Sequence, residues 1–540
     1  MSTYLIHNNR GMATFIALIL MIMLTLVGLA ALKLADDEIS IAGNEMNEMN
    51  AFYAAEGGLE QAAAAMQTQY ESTGVPPTIL PSGSLTINNQ VVAYQTTDNG
   101  AAAQDVLTQG TLAGLHALVK TFTIQSTGTS TVDHAQVTLV QKWECALVPL
   151  FQFAVFYGND LEIAPGPDMT LIGRVHSNGN LWLQAGSNLY MDSYVTCSGN
   201  LLHGRKGAGG VSTGNVFVKD PDGNYQNMKN ADGSFLTSAS ANWYDTASTR
   251  WGGRVQDSAF GQDELNLPLT NAGDPHKIIE RAAGNTDSYE NLADLRIIDG
   301  QCEARIGAAW VNINALLPAN TITTTTFYDG REGTNVNATN IDMSLLKTST
   351  YFPTSGVVYF SDSRTGFDAA RLTNGSDIGQ PISFFCENPV YVEGDFNSVN
   401  KQPAAIAGDA VTFLSNNWDD SKSALSKSNR IATQTTVNAS VMTGNTNTTS
   451  SNYNGGLENL PRFLEVWSGV KFIYTGSLVN LWNSQHATGD WNGTYYSPPI
   501  REWSYDIDLD DPNKLPPETP TVRVFQRTGW QQADIGHGNN

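Results

Sequence analysis

His176 is the residue best suited to proton chemistry, because an imidazole titrates near neutrality and serves as acid, base or ligand. It sits in Arg174-Val-His-Ser177, and alternate residues of a strand share one face. With Asp192, Arg174 and His176 would suit a sugar-cleaving groove on a β face. No second His lies near it in sequence and no paired-carboxylate motif accompanies it, which favours a hydrogen-bonded structural His. The run Asp506-Ile-Asp-Leu-Asp-Asp-Pro-Asn513 places Asp506, Asp508 and Asp510 on one face of an expected strand. Calcium takes several oxygens from a tight loop, commonly with a Gly, and this run has neither the Gly nor a closing Glu. Asp220-Pro-Asp-Gly-Asn224 is shaped for a turn and is equally incomplete as a ligand set. Both read as solvated acidic surface.

Cys145, Cys197, Cys302 and Cys386 form no CxxC pair, which excludes a zinc ribbon. Two disulfides with three possible connectivities are one reading for an exported chain. Small buried hydrophobes are the other, since Cys197 and Cys386 sit in apolar runs. Six of the 11 Trp lie between 418 and 530. Trp467 and Trp482 sit in apolar runs and suit closure of the open end of a β domain. Trp491, Tyr495, Tyr496 and Trp503 surround a Gly-, Pro- and Tyr-rich stretch and are the candidate surface for a ligand or partner. The sequence calls for no cofactor, no metal and no catalytic residue.

The composition bounds what holds these residues. The chain has 540 residues, 29 Lys and Arg against 52 Asp and Glu, and a net charge of −23. Such an acid excess disfavours a phosphate-binding surface, so nucleic acid is excluded as a partner. Only 15% of residues are charged and 49 are Gly, which is unlike a coiled coil. The 41% hydrophobic content is enough to bury a core.

The apolar residues are unevenly spread. Met12 to Leu32 carries no charge over 21 residues, which as a helix spans roughly 30 Å, the thickness of a bilayer core. Arg10 before it and the acidic remainder after it favour a cytoplasmic N-terminus. Ala30, Ala31 and Ala35 also permit a signal-peptide reading. Helical spacing continues through Met46, Met49, Tyr53, Ala54 and Leu59, an apolar stripe, and stops at Gly74-Val-Pro-Pro. Gly43 and the pair Gly57-Gly58 are the points where such a helix would bend.

This segment resembles the N-terminus of type IV pilins and pseudopilins, most closely the PilX-type minor pilins. The resemblance rests on Arg10-Gly11, on Gly28-Leu-Ala-Ala31, on Ile41-Ala-Gly43-Asn44, and on Ala51-Phe52-Tyr-Ala-Ala55-Glu56 followed by Leu59. It covers about Arg10 to Ala65. It implies a prepilin cut after Gly11 by a prepilin peptidase and methylated on Met12, with residues 1–11 as leader. It implies an inner-membrane anchor that transfers into a filament, with other pilins and the assembly machinery as partners. Major pilins carry Glu at the fifth mature position, where it neutralises a neighbour's terminal ammonium; this chain has Ile16 there. An unpaired buried ammonium is costly, so Ile16 favours a tip or initiator subunit, which has no subunit above it.

The remainder reads as strands. Ser84 to Tyr94 holds an Asn-Asn turn between strand-like runs, and Val119 to Gln125 and Ala135 to Trp143 alternate around an expected turn at 126–130. Ser177-Asn-Gly-Asn-Leu181 recurs as Cys197-Ser-Gly-Asn-Leu201, with three short strands per twenty residues, the texture of a parallel β-solenoid. A β-sandwich with long insertions competes with it. Residues 206–275 read as a long excursion, Pro275 to Ala283 as a short helix, and Ala293 to Ile306 as a hairpin around Asp299-Gly300.

The expected fold is α+β, mainly β. It comprises a membrane or filament-core helix at 12–35, its amphipathic continuation at 36–75, a small pilin-like β region at 78–148 and a large β domain at 150–540. The expected function is a minor pilin that primes assembly or occupies the tip, displays a periplasmic or extracellular β domain, possesses adhesive potential and is not an enzyme. The alternatives are a membrane-tethered polysaccharide enzyme and an unprocessed envelope scaffold.

Overall fold

The computed structural model describes residues 10–207, 210–270, 273–364, 366–449, 453–491 and 494–533. Most of the expected leader, residues 1–9, lies outside them. The first element is α1, Arg10–Thr73, one helix of 64 residues that runs through Gly43, Gly57 and Gly58 without interruption. It contains no Pro and is rich in Ala, Leu, Met and Glu, all strong helix formers. Gly74 ends it in a left-handed conformation (φ +72°), with its N–H on the Tyr70 carbonyl at 3.0 Å, and Pro76 follows.

Five strands follow: β1 (Ser82–Ile87), β2 (Gln90–Asp98), β3 (Ala103–Val106), β4 (His116–Ser130) and β5 (Gln136–Pro149). Asn88 and Asn89, both at positive φ, make the expected two-residue turn between β1 and β2. The expected turn at 126–130 is not one. β4 runs to Ser130, and Thr127 and Gly128 pair with Thr138 and Val137 of β5. The Gly there serves a close approach of α1, described below.

The large β domain opens with two parallel series. The first contains β6 (Phe153–Tyr157), β7 (Leu161–Ile163), β8 (Met169–Leu171), β9 (Arg174–Ser177), β10 (Leu181–Leu183), β11 (Asn188–Met191), β12 (Val195–Cys197) and β13 (Leu201–His203). Leu161, Leu181 and Leu201 are in register across β7, β10 and β13, and Val175 with Val195 across β9 and β12. The twenty-residue repeat seen in the sequence is therefore a register. Its polar side chains tie each turn of the chain to the next. The Asp160 carboxylate accepts the Asn180 N–H at 2.8 Å, and the Asn180 side chain accepts the Asn200 N–H at 2.9 Å. The expected excursion at 206–275 contains β14 (Asn215–Lys219), β15 (Tyr225–Asn227), α2 (Trp243–Trp251) and β16 (Val255–Gln256). Trp243 and Trp251 are buried, so this stretch extends the core rather than leaving it.

The chain then crosses to the far end. There β17 (Leu295–Ile298) and β18 (Gln301–Ile306) form the expected hairpin around Asp299-Gly300, joined by β19 (Ala309–Asn312). The second series follows: β20 (Ile322–Asp329), β21 (Thr334–Asp342), β22 (Val357–Ser361), β23 (Phe367–Thr373), β24 (Ile382–Cys386), β25 (Val390–Glu393), β26 (Ala404–Gly408), β27 (Val411–Leu414), β28 (Thr435–Asn438), β29 (Ser440–Thr443), β30 (Arg462–Phe463), β31 (Lys471–Thr475), β32 (Leu478–Asn480) and β33 (Ile500–Ser504). The two series meet in a twelve-stranded sheet of order β16-β12-β9-β6-β32-β29-β26-β24-β22-β17-β18-β19. It is parallel except for the pairings at β18.

That sheet is buried on both faces, so its strands read as continuous apolar runs such as Phe153-Ala-Val-Phe-Tyr157. Val155, Val358, Phe384 and Ile406 face the main core. Phe156, Tyr359, Ala407 and Val479 face a second core, closed by Leu265, Leu267, Leu269 and Ile279 of the crossing segment. The last strand, β34 (Thr521–Gln532), leaves the large domain and pairs antiparallel with β5. The assignment of residues 150–540 to one large domain thus missed that the last described strand belongs to the first sheet, whose order is β1-β2-β4-β5-β34.

Candidate functional site

The N-terminal helix divides into two parts with different surroundings. From Gly11 to Asn50 it touches little of the protein: Met12 is 64% exposed and Ile16 52%. A side chain added at Gly11, Gly28 or Gly43 would meet nothing within 4 Å. Asn44 is exposed as well. The run is long and apolar enough to cross a membrane, and none of it is buried within the chain. So many exposed apolar residues in one stretch require an apolar partner, lipid or protein.

From Ala51 onward the helix rests on the sheet through Ala51, Ala55, Leu59, Ala62, Met66 and Tyr70. Of the expected stripe, Ala54 and Leu59 are buried, whereas Met46, Met49 and Tyr53 are more than half exposed. Small residues, Ala51, Ala55 and Gly58, line the part of this face where helix and sheet come closest. A Cβ on Gly128 of β4 would overlap the Ala51 carbonyl oxygen and press on Ala55 N at 2.9 Å. A Cβ on Gly58 would overlap Ser126 and lie 2.6 Å from Val92 Cγ1. Gly57-Gly58, read from sequence as a bend, is instead a packing surface. Phe52 is half-buried beside Trp530 of β34, with ring centroids 6.1 Å apart, and Glu56 is half-buried. Arg523 of β34 donates to the Tyr70 and Glu71 carbonyls, placing a cation on the helix C-terminus. The Tyr70 hydroxyl donates to the Ala146 carbonyl at 2.9 Å, and burial pushes its pKa up.

The chemistry suggested by the other residues does not assemble. His176 is buried, with Nδ1 2.8 Å from Thr196 Oγ1 and Nε2 2.9 Å from Asn178 Oδ1. Burial lowers its pKa to about 4, so it is a neutral structural histidine. Arg174 donates to the Thr111 and Ala113 carbonyls, and Asp192 accepts the Gly173 N–H, so neither turns to a groove with His176. Asp506, Asp508 and Asp510 are not on a strand: Asp506 caps a 3-10 turn at Ile507–Asp510. Lys401 pairs with Asp506 and Asp508, Lys514 pairs with Asp508, and Tyr505 donates to Asp510. Asp220 closes the turn expected at 220–224, its carboxylate accepting the Asn224 N–H at 2.8 Å. Among the described residues no cluster of His, Cys, Asp and Glu has the arrangement of a metal site.

All four cysteines are buried free thiols, so the small-hydrophobe reading holds and the disulfide reading does not. Tyr495 and Tyr496 are buried, against the expectation of a surface patch. Tyr496 Oη donates to Asn459 Oδ1 at 2.6 Å and accepts from Trp491 Nε1 at 2.9 Å. Trp491 and Trp503 are partly buried against the main core, so the four rings pack inward rather than present a stacking face. Trp467 and Trp482 are both buried. Trp467 belongs to the main core and Trp482 to the second core.

Residues 10–60 match the family model described as PilX N-terminal. The PilX-type resemblance is therefore matched over the unburied part of the helix and the first turns that seat on the sheet. No curated protein matches the chain. Among solved structures the chain is similar to the competence-associated pilin ComZ from Thermus thermophilus, at 12% identity and a TM-score of 0.27, with 90% of this chain and 98% of that chain covered.

Proposed function

We propose that this chain is a minor pilin of PilX type, in a type IV pilus or secretion pseudopilus, that displays a large β domain. The observation that carries the proposal is the coincidence of the matched segment with a 64-residue helix whose first part is apolar and unburied while its last turns seat a sheet. Such a helix needs a bilayer before assembly and other pilins after it. Gly11 and Met12 are the processing site, and the N-terminus is cytoplasmic until cleavage. The large domain is periplasmic, then extracellular. Its β-solenoid-like winding is supported by the twenty-residue register of β7, β10 and β13. Ile16 supports a tip or priming position, because this subunit cannot neutralise a terminal ammonium packed against it.

Mass spectrometry of the mature chain tests the proposal. A methylated Met12 at the N-terminus is the expected result, and an intact Met1 or a cut elsewhere overturns it. Ile16→Glu is expected to leave membrane insertion intact and to alter the number or the position of filaments. Unchanged piliation and placement would count against the tip role.

A further inference from the structure

The chain contains three Asp-Pro bonds, at 220–221, 274–275 and 511–512. Asp-Pro is the peptide bond most labile to acid, because the Asp carboxyl can close a five-membered ring on its own carbonyl carbon. Pro, whose nitrogen carries no hydrogen in the chain, then leaves as a secondary amine. The structure sets one of the three apart. Asp274 stands in Gly273-Asp-Pro-His276, on the crossing segment between β16 and β17. It is exposed, and Pro275–Ile278 turn tightly after it. Its carboxylate accepts the His276 N–H at 3.0 Å, which closes a ring around the Asp274–Pro275 bond and holds the nucleophile over it. The Asp274 carbonyl oxygen, where charge develops during attack, accepts the Lys277 N–H at 3.0 Å. The turn is anchored from behind: the His276 ring is buried, with Nδ1 2.7 Å from Glu280 Oε1 and Nε2 facing Asp409 Oδ1 at 3.8 Å.

The other two Asp-Pro bonds share a turn but not the state of the carboxyl. Asp220 accepts the Gln226 side-chain amide at 2.8 Å, and Asp511 accepts both the backbone and the side-chain N–H of Asn513, at 2.9 and 3.1 Å. These donors hold both carboxyls below the usual carboxylate range, in the ionised form that has no proton for the leaving nitrogen. Among the described residues no side chain donates to Asp274, which takes the one backbone N–H. The charged groups around it are Lys277, whose Nζ lies beside Gly273, and Glu264 and Arg523 on the cleft that it borders. Arg523 is committed to the Tyr70 and Glu71 carbonyls. We propose that the chain cuts itself once, at the Asp274–Pro275 bond, in mild acid. The protonated Asp274 carboxyl adds to its own main-chain carbonyl carbon, the C–N bond to Pro275 breaks, and the carboxyl proton goes to the proline nitrogen. A cyclic anhydride remains on residue 274. Water opens it, which restores the Asp side chain and leaves a new main-chain carboxyl group. The products stay together, because β6 pairs with β32 and β5 with β34 across the cut. The cut therefore removes the direct link between the two β series and keeps the fold. It is independent of the pilin reading.

The test holds the full chain, purified in detergent with protease inhibitors, at pH 5 and at pH 7 and follows it by intact-mass spectrometry. Fragments ending at Asp274 and beginning at Pro275 are expected, co-eluting on gel filtration until denatured. The cut should be about 100-fold faster at pH 5, since the protonated fraction of an Asp rises tenfold per pH unit above an ordinary pKa of roughly 3.9. Asp274→Ala removes the nucleophile, and Pro275→Ala keeps the carboxylate while removing the leaving group; each should abolish the cut. Unfolding the chain in urea at pH 5 should erase the preference for 274–275 over the other two Asp-Pro bonds. The proposal is overturned if the native chain is cut no faster at 274–275 than at 220–221 or 511–512. It is equally overturned if the unfolded chain is cut there as fast as the native one, or if either variant is still cut.

Discussion

The seam between α1 and the sheet sets how firmly the helix is held, and Gly128→Ala tests it. The added methyl would fall on the Ala51 carbonyl oxygen, with Ala51 C and Ala55 N also at 2.9 Å. All three are backbone atoms of a helix, so no side chain can rotate out of the way. The helix must back off by about 1.5 Å for the contact with the Ala51 oxygen to become an ordinary one of roughly 3.5 Å, and a gap of even about 1 Å forfeits up to half of each neighbouring contact. Those contacts join Leu59 and Met66 to Phe122, Ile124 and Leu139, all fully buried. Overpacking of this kind costs about 1–3 kcal/mol, and the rigid obstacle places this case at about 3. Hydrogen exchange read by mass spectrometry localises the effect. Protection in β4 and β5 should fall about 100-fold, because each 1.4 kcal/mol is a factor of ten. The strands β21, β23, β25 and β27, whose buried side chains lie in the main core away from β4 and β5, should keep theirs. Gly83→Ala is the control: its methyl would meet the Tyr94 hydroxyl at 3.3 Å, at the tip of a side chain that can move. Unchanged protection in β4 and β5 would refute the close-packed seam, and equal loss everywhere would refute its locality.

Arg523→Ala removes the cation from the helix C-terminus and should cost about 1 kcal/mol, seen as faster exchange over residues 66–73 with the large domain unaffected. His176 is held neutral, with its pKa lowered by burial from 6.5 to about 4. Between those values the unfolded chain binds more protons than the folded one, so stability falls as pH drops from about 6.5 and levels near 4. The loss is about 3 kcal/mol at full extent, and His176→Gln should flatten that part of the stability profile in denaturant titrations. All four cysteines are buried thiols, with burial raising the pKa of each. A thiol reagent should find none in the native chain and four after denaturation, and a reductant should leave the melting temperature unchanged.

The features legible in the sequence are those specified locally. An uncharged run followed by helix formers gives α1, Asn88-Asn89 and Asp299-Gly300 give hairpins, and Asn-Gly-Asn-Leu at a spacing of twenty gives the register of β7, β10 and β13. The phase of the helix stripe was misread because the usual signal is large apolar residues. Here Ala51, Ala55, Ala62 and Gly58 take much of the seat beside Leu59, Met66 and Tyr70, while Met46, Met49 and Tyr53 are exposed. The aromatic group at 491–503 was misread for a related reason. Gly, Pro and Tyr together resemble a surface loop, but Tyr496 is fixed from both sides by Asn459 and Trp491, which only the fold brings together.

The return of β34 changes how the large domain relates to the helix. β5 leads directly into β6, and β32 lies beside β6 in the middle of the twelve-stranded sheet. The chain then returns through β34 beside β5. The large domain is thus inserted between two neighbouring strands of the first sheet, and its entry and exit are tied together by the Leu150 N–H on the Pro520 carbonyl at 2.8 Å. The two parts share one core as well: Ala117, Val119 and Val148 of the first sheet cluster with Phe156, Tyr359 and Val479 of the large one. Two covalent connections and a common apolar core argue for a rigid mounting rather than a tethered domain, since relative motion is the default only where the interface is small and polar. Arg523 and Trp530 carry that mounting to the helix itself, because both lie on β34 and both touch α1. Displacement of the large domain therefore loads the seat at Ala51, Ala55 and Gly128, the same contact on which the helix depends.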